Sequence, residues 1–229
     1  MQKKILLLLL TIAAFVLVFV ALYFTISDSD YKYLSKNLKV SHLIYNPDKK
    51  LSSFSLIDHN NNKFENENLK DEWTVLTFIY THCPDVCPTE LMNISTLKSK
   101  IKKSNSSFMP NFVVITFDPI RDTPEILKSY VTHFDEDFLG VSGDQKQIDQ
   151  LVKDFGAYYE RVMYSDNGEL ILIPNYEKIP PEAMENGYSI NHTAWVYLVN
   201  PGGQIHAGFP APHKPNDMLE DIKLLVDNY

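Results

Sequence analysis

Cysteine is nearly absent from this 229-residue sequence: Cys83 and Cys87 are the only two. A disulfide-stapled scaffold and most four-cysteine metal sites are thereby excluded. Positive charge is also scarce, because 21 lysines and arginines against 29 aspartates and glutamates leave a formal net charge of −8. No basic cluster is interleaved with aromatics, and the 8 glycines form no phosphate-cradling loop, so nucleic acid is not an expected partner. There is no internal repeat, no arginine-rich amphipathic presequence and no cysteine near the N-terminus that could carry a lipid.

One long apolar run is present. Ile5 to Ile26 is almost unbroken, and about 22 residues of helix at about 1.5 Å each span the roughly 30 Å hydrocarbon core of a bilayer. A cleavable signal peptide has a shorter apolar region and a small-residue exit, whereas this run leaves through Tyr23-Phe24-Thr25-Ile26-Ser27. The reading is a retained anchor over residues 1–27, a polar linker packing loosely over 28–50, and one folded domain over 51–229. Lys3 and Lys4 precede the span while Lys32, Lys36 and Lys39 follow it, so charge bias does not set its orientation.

Both cysteines fall within the stretch Thr81-His82-Cys83-Pro84-Asp85-Val86-Cys87-Pro88-Thr89. Val75 to Tyr80 ahead of it reads as a buried strand. Behind it, Pro88 suits a first helical position, and Leu91, Ile94, Leu97 and Ile101 form an apolar stripe. A helix starting just after Cys87 would set that thiol at the positive end of the helix dipole and favour thiolate. The bland alternative is a structural disulfide or two inert buried thiols. So short a closed loop removes little unfolded-chain entropy, which makes a poor staple.

Further along, Phe112 to Phe117 reads as a second buried strand, and Thr123-Pro124-Glu125 as a helix cap and first turn with a helix to about Phe134. Leu139 to Val141 is a short strand, Asp144 caps a helix stopped by Gly156, and Tyr158 to Val162 is a strand. Leu170 to Gly187 reads as a hairpin or extended insertion. Ala194 to Val199 and Gln204 to Phe209 flank a Pro201-Gly202-Gly203 turn, and Asn216 to Val226 closes as a helix. This order predicts an α/β, thioredoxin-like fold with an N-terminal transmembrane helix. In it, the Ala194 strand runs antiparallel to the cysteine strand, which brings Asn191-His192-Thr193 to the cysteine edge and singles out His192 among seven histidines.

The cysteine stretch, the loop Asp118-Pro119-Ile120-Arg121-Asp122-Thr123-Pro124-Glu125 and Ile190-Asn191-His192-Thr193-Ala194 together resemble the Sco/SenC family of copper proteins. The resemblance implies a copper ion held by Cys83, Cys87 and His192. Two soft thiolates and an imidazole suit Cu(I) in an open, low-coordinate site. The family commonly has aspartate where this sequence has Asn191. The resemblance also implies a chaperone that helps assemble the binuclear copper centre of cytochrome c oxidase. Its partners would be the copper-bearing oxidase subunit, a copper donor and a thiol reductase, at a bacterial inner membrane with the domain facing the periplasm. The alternative from a different class is a thiol:disulfide oxidoreductase in which Cys83 and Cys87 attack and resolve, a chemistry with no need of His192.

Other candidates receive blander readings. His82 stands beside Cys83 as a residue that could tune the thiols, and Asp85 is read as solvating the loop. Asp118 and Arg121 form a loop-fixing charge pair, while Asp122 has no separate signal. His42, His59, His133, His206 and His213 are read as solvated surface residues. The 6 methionines show no close repeat, which argues against a separate methionine copper site.

Overall fold

The computed structural model describes residues 11–17, 31–44, 50–104, 108–165, 167–174 and 178–229. Most of the expected Ile5 to Ile26 span lies outside these residues. Its stretch 11–17 is helical, and among the described residues no helix is long and apolar enough to cross a membrane.

A mixed eight-stranded sheet forms the centre. Its strands in chain order are β1 (His42–Leu43), β2 (Ser55–Asp58), β3 (Lys63–Glu65), β4 (Thr74–Ile79), β5 (Asn111–Thr116) and β6 (Leu139–Ser142), with β10 (Trp195–Val199) and β11 (Ile205–Pro210) completing it. Their spatial order is β1-β11-β10-β4-β5-β6-β2-β3. All six residues of β4 are buried, as expected of a run rich in β-branched and aromatic side chains covered on both faces. β4 pairs parallel with β5 and antiparallel with β10, Val196 opposite Thr77. The beginning of β10 and the end of β4 therefore share one sheet edge, as the predicted topology requires.

Helices α1 (Val86–Lys103), α2 (Pro124–Phe134), α3 (Gln145–Asp154), α4 (Pro181–Asn186) and α5 (Pro215–Asp227) follow the strands. The predicted stripe of α1 is its buried face: Leu91, Ile94, Leu97 and Ile101 are all within the core. Burying each such side chain stabilises the fold by about 1.5–3 kcal/mol, so this face anchors the helix that begins in the cysteine loop. α2 starts as its sequence indicates, with Ile126 N–H donating to the Thr123 hydroxyl and Pro124 in the first turn. α3 is capped by Asp144 and ends at Gly156, whose φ of +67° is a left-handed conformation that glycine adopts without strain. Gly208 answers a different need, since a side chain there would collide with the Trp195 ring packed across it.

Two features depart from the sequence reading. The 28–50 stretch, expected to pack loosely, is partly docked: the Lys39, Val40 and Ser41 N–H groups donate to buried Asp221 on α5, and β1 pairs with β11. A second sheet also stands apart from the first. Its strands β7 (Tyr159–Tyr164), β8 (Leu170–Ile173) and β9 (Ser189–His192) are ordered β8-β7-β9. The predicted insertion, Leu170 to Gly187, supplies β8 to this sheet, and β9, which follows it, ends on His192.

Candidate metal centre

The two cysteines leave the end of β4 through a turn in which Cys83 N–H donates to the Tyr80 carbonyl at 3.2 Å. α1 then begins at Val86, earlier than the sequence indicates, so Cys87 lies inside the first turn and Pro88 is its third residue. Proline is tolerated there because the first four N–H groups of a helix have no intrahelical partner. The shift changes which thiol the helix end serves. Cys87 N–H donates to Cys83 Sγ at 3.4 Å, so the orphan donor of the first turn points at the other sulfur. The Cys87 thiol, with His192 and the Cys87 and Asp85 backbone N–H groups behind it, holds the Cys83 pKa well below the ordinary thiol value. The Cys87 thiol is pushed up, by donating to Cys83 and then by burial. The expectation that Cys87 is the favoured thiolate is therefore reversed.

His192 arrives from the second sheet, where it pairs opposite Tyr159 at the end of β9. Its ring lies over Phe117 with centroids 4.9 Å apart and edge-on to Tyr80 at 6.0 Å. Nδ1 is 3.0 Å from the Thr193 carbonyl, which can only accept, so Nδ1 carries a proton. That fixes the ring so that Nε2 faces sulfur, 3.4 Å from Cys87 Sγ. One donor atom from each of Cys83, Cys87 and His192 lies within 4.8 Å of the others, and among the described residues this is the one such cluster of three. Burial opposes a charged imidazole. The Cys83 sulfur, the Thr193 carbonyl and Glu90 favour it and leave the His192 pKa raised. Soft sulfur beside a lone-pair nitrogen is a donor set suited to a soft, low-coordinate ion.

The remaining candidates separate clearly. His82 is exposed and contacts Thr81, 3.8 Å from Asp122, so it points away from the sulfurs. Asp85 is exposed and solvates the loop as read. Asn191 is exposed, with its amide donating to Glu160. The cation of Arg121 pairs with Asp118, as the sequence suggests, and both also hold Tyr188. His59, His206 and His213, read as solvated, are instead buried within the fold.

Two residues that pack around this centre carry no signal of their own in the sequence. Asp122 is fully buried and accepts from the Thr81 N–H, the Thr81 hydroxyl and the Thr116 hydroxyl, tying the cysteine loop to the end of β5. Glu90 is 3% exposed, accepts from Thr77 and faces His213 Nδ1 at 3.8 Å. Burial pushes its carboxyl up to about 7, with the Cys83 charge adding to the effect while Thr77 and His192 oppose it. Aspartate in a polar loop and glutamate in a first helical turn are ordinary in sequence; only packing reveals that these two are enclosed.

Residues 45–227 match the family described as SCO1/SenC. The chain belongs to the SCO1/SenC family. An SCO2-like protein of Rickettsia felis is 32% identical over 170 residues, covering 74% of each chain. The solved structure of Bradyrhizobium japonicum ScoI with copper bound is 30% identical with a TM-score of 0.58, covering 76% of this chain and 98% of that one. That of Arabidopsis thaliana ScoI with copper bound is 26% identical with a TM-score of 0.65, covering 78% and 98%. The predicted α/β thioredoxin-like architecture is that of these SCO1/SenC structures.

Proposed function

We propose that this SCO1/SenC protein is a membrane-anchored copper chaperone. It binds one copper ion through Cys83, Cys87 and His192 and passes it to the binuclear copper centre of cytochrome c oxidase. The observation that supports this reading is the convergence of two sulfurs and an oriented imidazole nitrogen within 4.8 Å. The copper-bound relatives, in which the metal is named, point the same way. Cys83 and Cys87 are both buried, while the loop between them is exposed at Pro84, Asp85 and Val86 for a partner to approach.

His192→Ala is expected to weaken Cu(I) binding by about a hundredfold while leaving much of the thiol exchange, because the imidazole would be a metal ligand but only one of several groups that favour the Cys83 thiolate. Cys83→Ser or Cys87→Ser removes both activities. Competition against a chromophoric Cu(I) chelator, run beside a thiol-exchange assay, separates the two. Unaltered copper affinity in His192→Ala would end the ligand assignment.

The asymmetry of the thiols favours a second reading, a thiol:disulfide oxidoreductase. A depressed Cys83 and a raised Cys87 form an attacking and a resolving pair. In that case the His192→Ala variant keeps much of its reductase turnover and Cys83→Ser loses it.

For the anchor, the reading is a single span over residues 1–27 with the domain in the periplasm of a bacterial inner membrane. A reporter that works only outside the cytoplasm, fused after Tyr229, is expected to be active. Activity solely of a cytoplasmic reporter would reverse the topology and remove the domain from the oxidase copper centre.

A further inference from the structure

The three donors of the metal centre come from two different sheets. Cys83 and Cys87 follow β4 of the main sheet, whereas His192 ends β9 of the small one. A site assembled this way is only as well aligned as the connection between its two parts. One such connection runs through the loop from Phe117 to Thr123, which follows β5.

Two neighbouring residues of this loop reach in opposite directions. Asp122 holds Thr81, two residues before Cys83, through its backbone N–H at 3.0 Å and through its hydroxyl. Arg121 holds Tyr188, the residue just before β9: its Nη1 donates to the Tyr188 carbonyl at 2.9 Å, and its guanidinium lies 3.5 Å from the centre of the Tyr188 ring. The Tyr188 hydroxyl in turn donates to Asp118 at 2.6 Å, and Asp118 pairs with Arg121. Asp118 is fully buried and Tyr188 is 6% exposed, so the closed triangle is shielded from water, where such hydrogen bonds hold geometry best. Phe117, the first residue of the loop, supports the His192 ring directly.

We propose that Arg121, together with Asp118 and Tyr188, is a positioning device for His192, and that the loop after β5 sets the distance between the imidazole and the two sulfurs. The proposal rests on Cys83, Cys87 and His192 being the copper ligands. It adds a role for three residues that touch neither metal nor sulfur. Lysine at position 121 would keep the charge but cannot stack on Tyr188 while donating in a fork to a carboxylate and a carbonyl. Phenylalanine at 188 would keep the ring and lose the bond to Asp118.

The test is a double-mutant cycle in the reduced, detergent-solubilised full chain, read as Cu(I) affinity by chelator competition. Arg121→Lys and Tyr188→Phe are each expected to weaken binding by about tenfold, the usual scale for groups that orient a metal-binding histidine. In an Arg121→Lys/His192→Ala double variant the loss should be no greater than in His192→Ala alone, because the clamp acts only through that ring. X-ray absorption of the copper-loaded Arg121→Lys variant should show weakened histidine scattering. If Arg121→Lys fails to fold, the same cycle with Tyr188→Phe decides. Additive losses, or wild-type affinity in both single variants, would overturn the clamp while leaving the ligand set standing. Wild-type affinity in His192→Ala would overturn the ligand set and the clamp together.

Discussion

Titration of Cu(I) into the reduced full chain is expected to load about one ion per chain, and titration into the oxidised chain almost none. A Cys83–Cys87 disulfide removes two of the three donors at once, and the imidazole left behind is too little to hold a soft ion. The two sulfurs already lie in one short turn, with the Cys87 N–H on Cys83 Sγ at 3.4 Å, so oxidation requires no distant segment to move. In an oxidising compartment the metal-free protein would collect in that form. For a two-electron couple about 30 mV corresponds to about 1.4 kcal/mol, so modest changes around the loop decide whether the thiols are available. Metal analysis after gel filtration of both forms is sufficient, and equal tight binding in the two would mean that the cysteines are not the ligands.

Replacement of Glu90 by glutamine should stabilise the fold at pH 8 and change little at pH 4.5. The carboxyl is 3% exposed and burial raises it from its usual 4.5 to about 7. Between those values the folded chain holds a proton that the unfolded chain has lost, so stability falls as pH rises through the window. A shift of that size amounts to a cost on the order of 3 kcal/mol for the ionised form above pH 7. Glutamine keeps the shape and the partner Thr77 without that cost. His206 contributes a slope of the opposite sign, because burial lowers it to about 4 and stability from it rises with pH up to its unfolded value. The difference between wild type and Glu90→Gln therefore isolates Glu90, where the wild-type curve alone would not. Urea denaturation at half-unit pH steps gives that difference. A flat difference, or one that favours wild type at pH 8, would mean that Glu90 is ionised in the fold and held by an imidazolium, with His213 and His192 the available partners.

Most of the fold was legible because its elements are locally specified. The β4 run, the α1 stripe, the Thr123-Pro124-Glu125 start and the Gly156 stop each carry their own pattern, and each forms within a residue or two of the expected place. The start of α1 was misjudged because Pro88 fits the first or the third position of a first turn equally well, all these N–H groups being free. The small sheet escaped notice for a related reason. Tyr159 to Tyr164 and Ser189 to His192 pair across an intervening hairpin and a short helix, and no local periodicity announces a partner that far away.

By itself, the sequence determined which residues could do chemistry here: two cysteines in one turn, and one histidine that the strand order returns to their edge. Composition and topology suffice for that, since thiols are rare in this chain and an antiparallel strand must begin where its neighbour ends. The tertiary structure alone decided how those groups behave. It gives the helix-end N–H to Cys83 rather than Cys87 and turns Nε2 of His192 toward sulfur. It also buries Glu90 and Asp122, and joins the two ligand-bearing segments through Arg121 and Asp122. These are consequences of burial and of long-range hydrogen bonds. Desolvation depends on what a side chain is packed against, and the residues that enclose this site are brought together from positions more than a hundred apart in the chain, as Cys87 and His192 are.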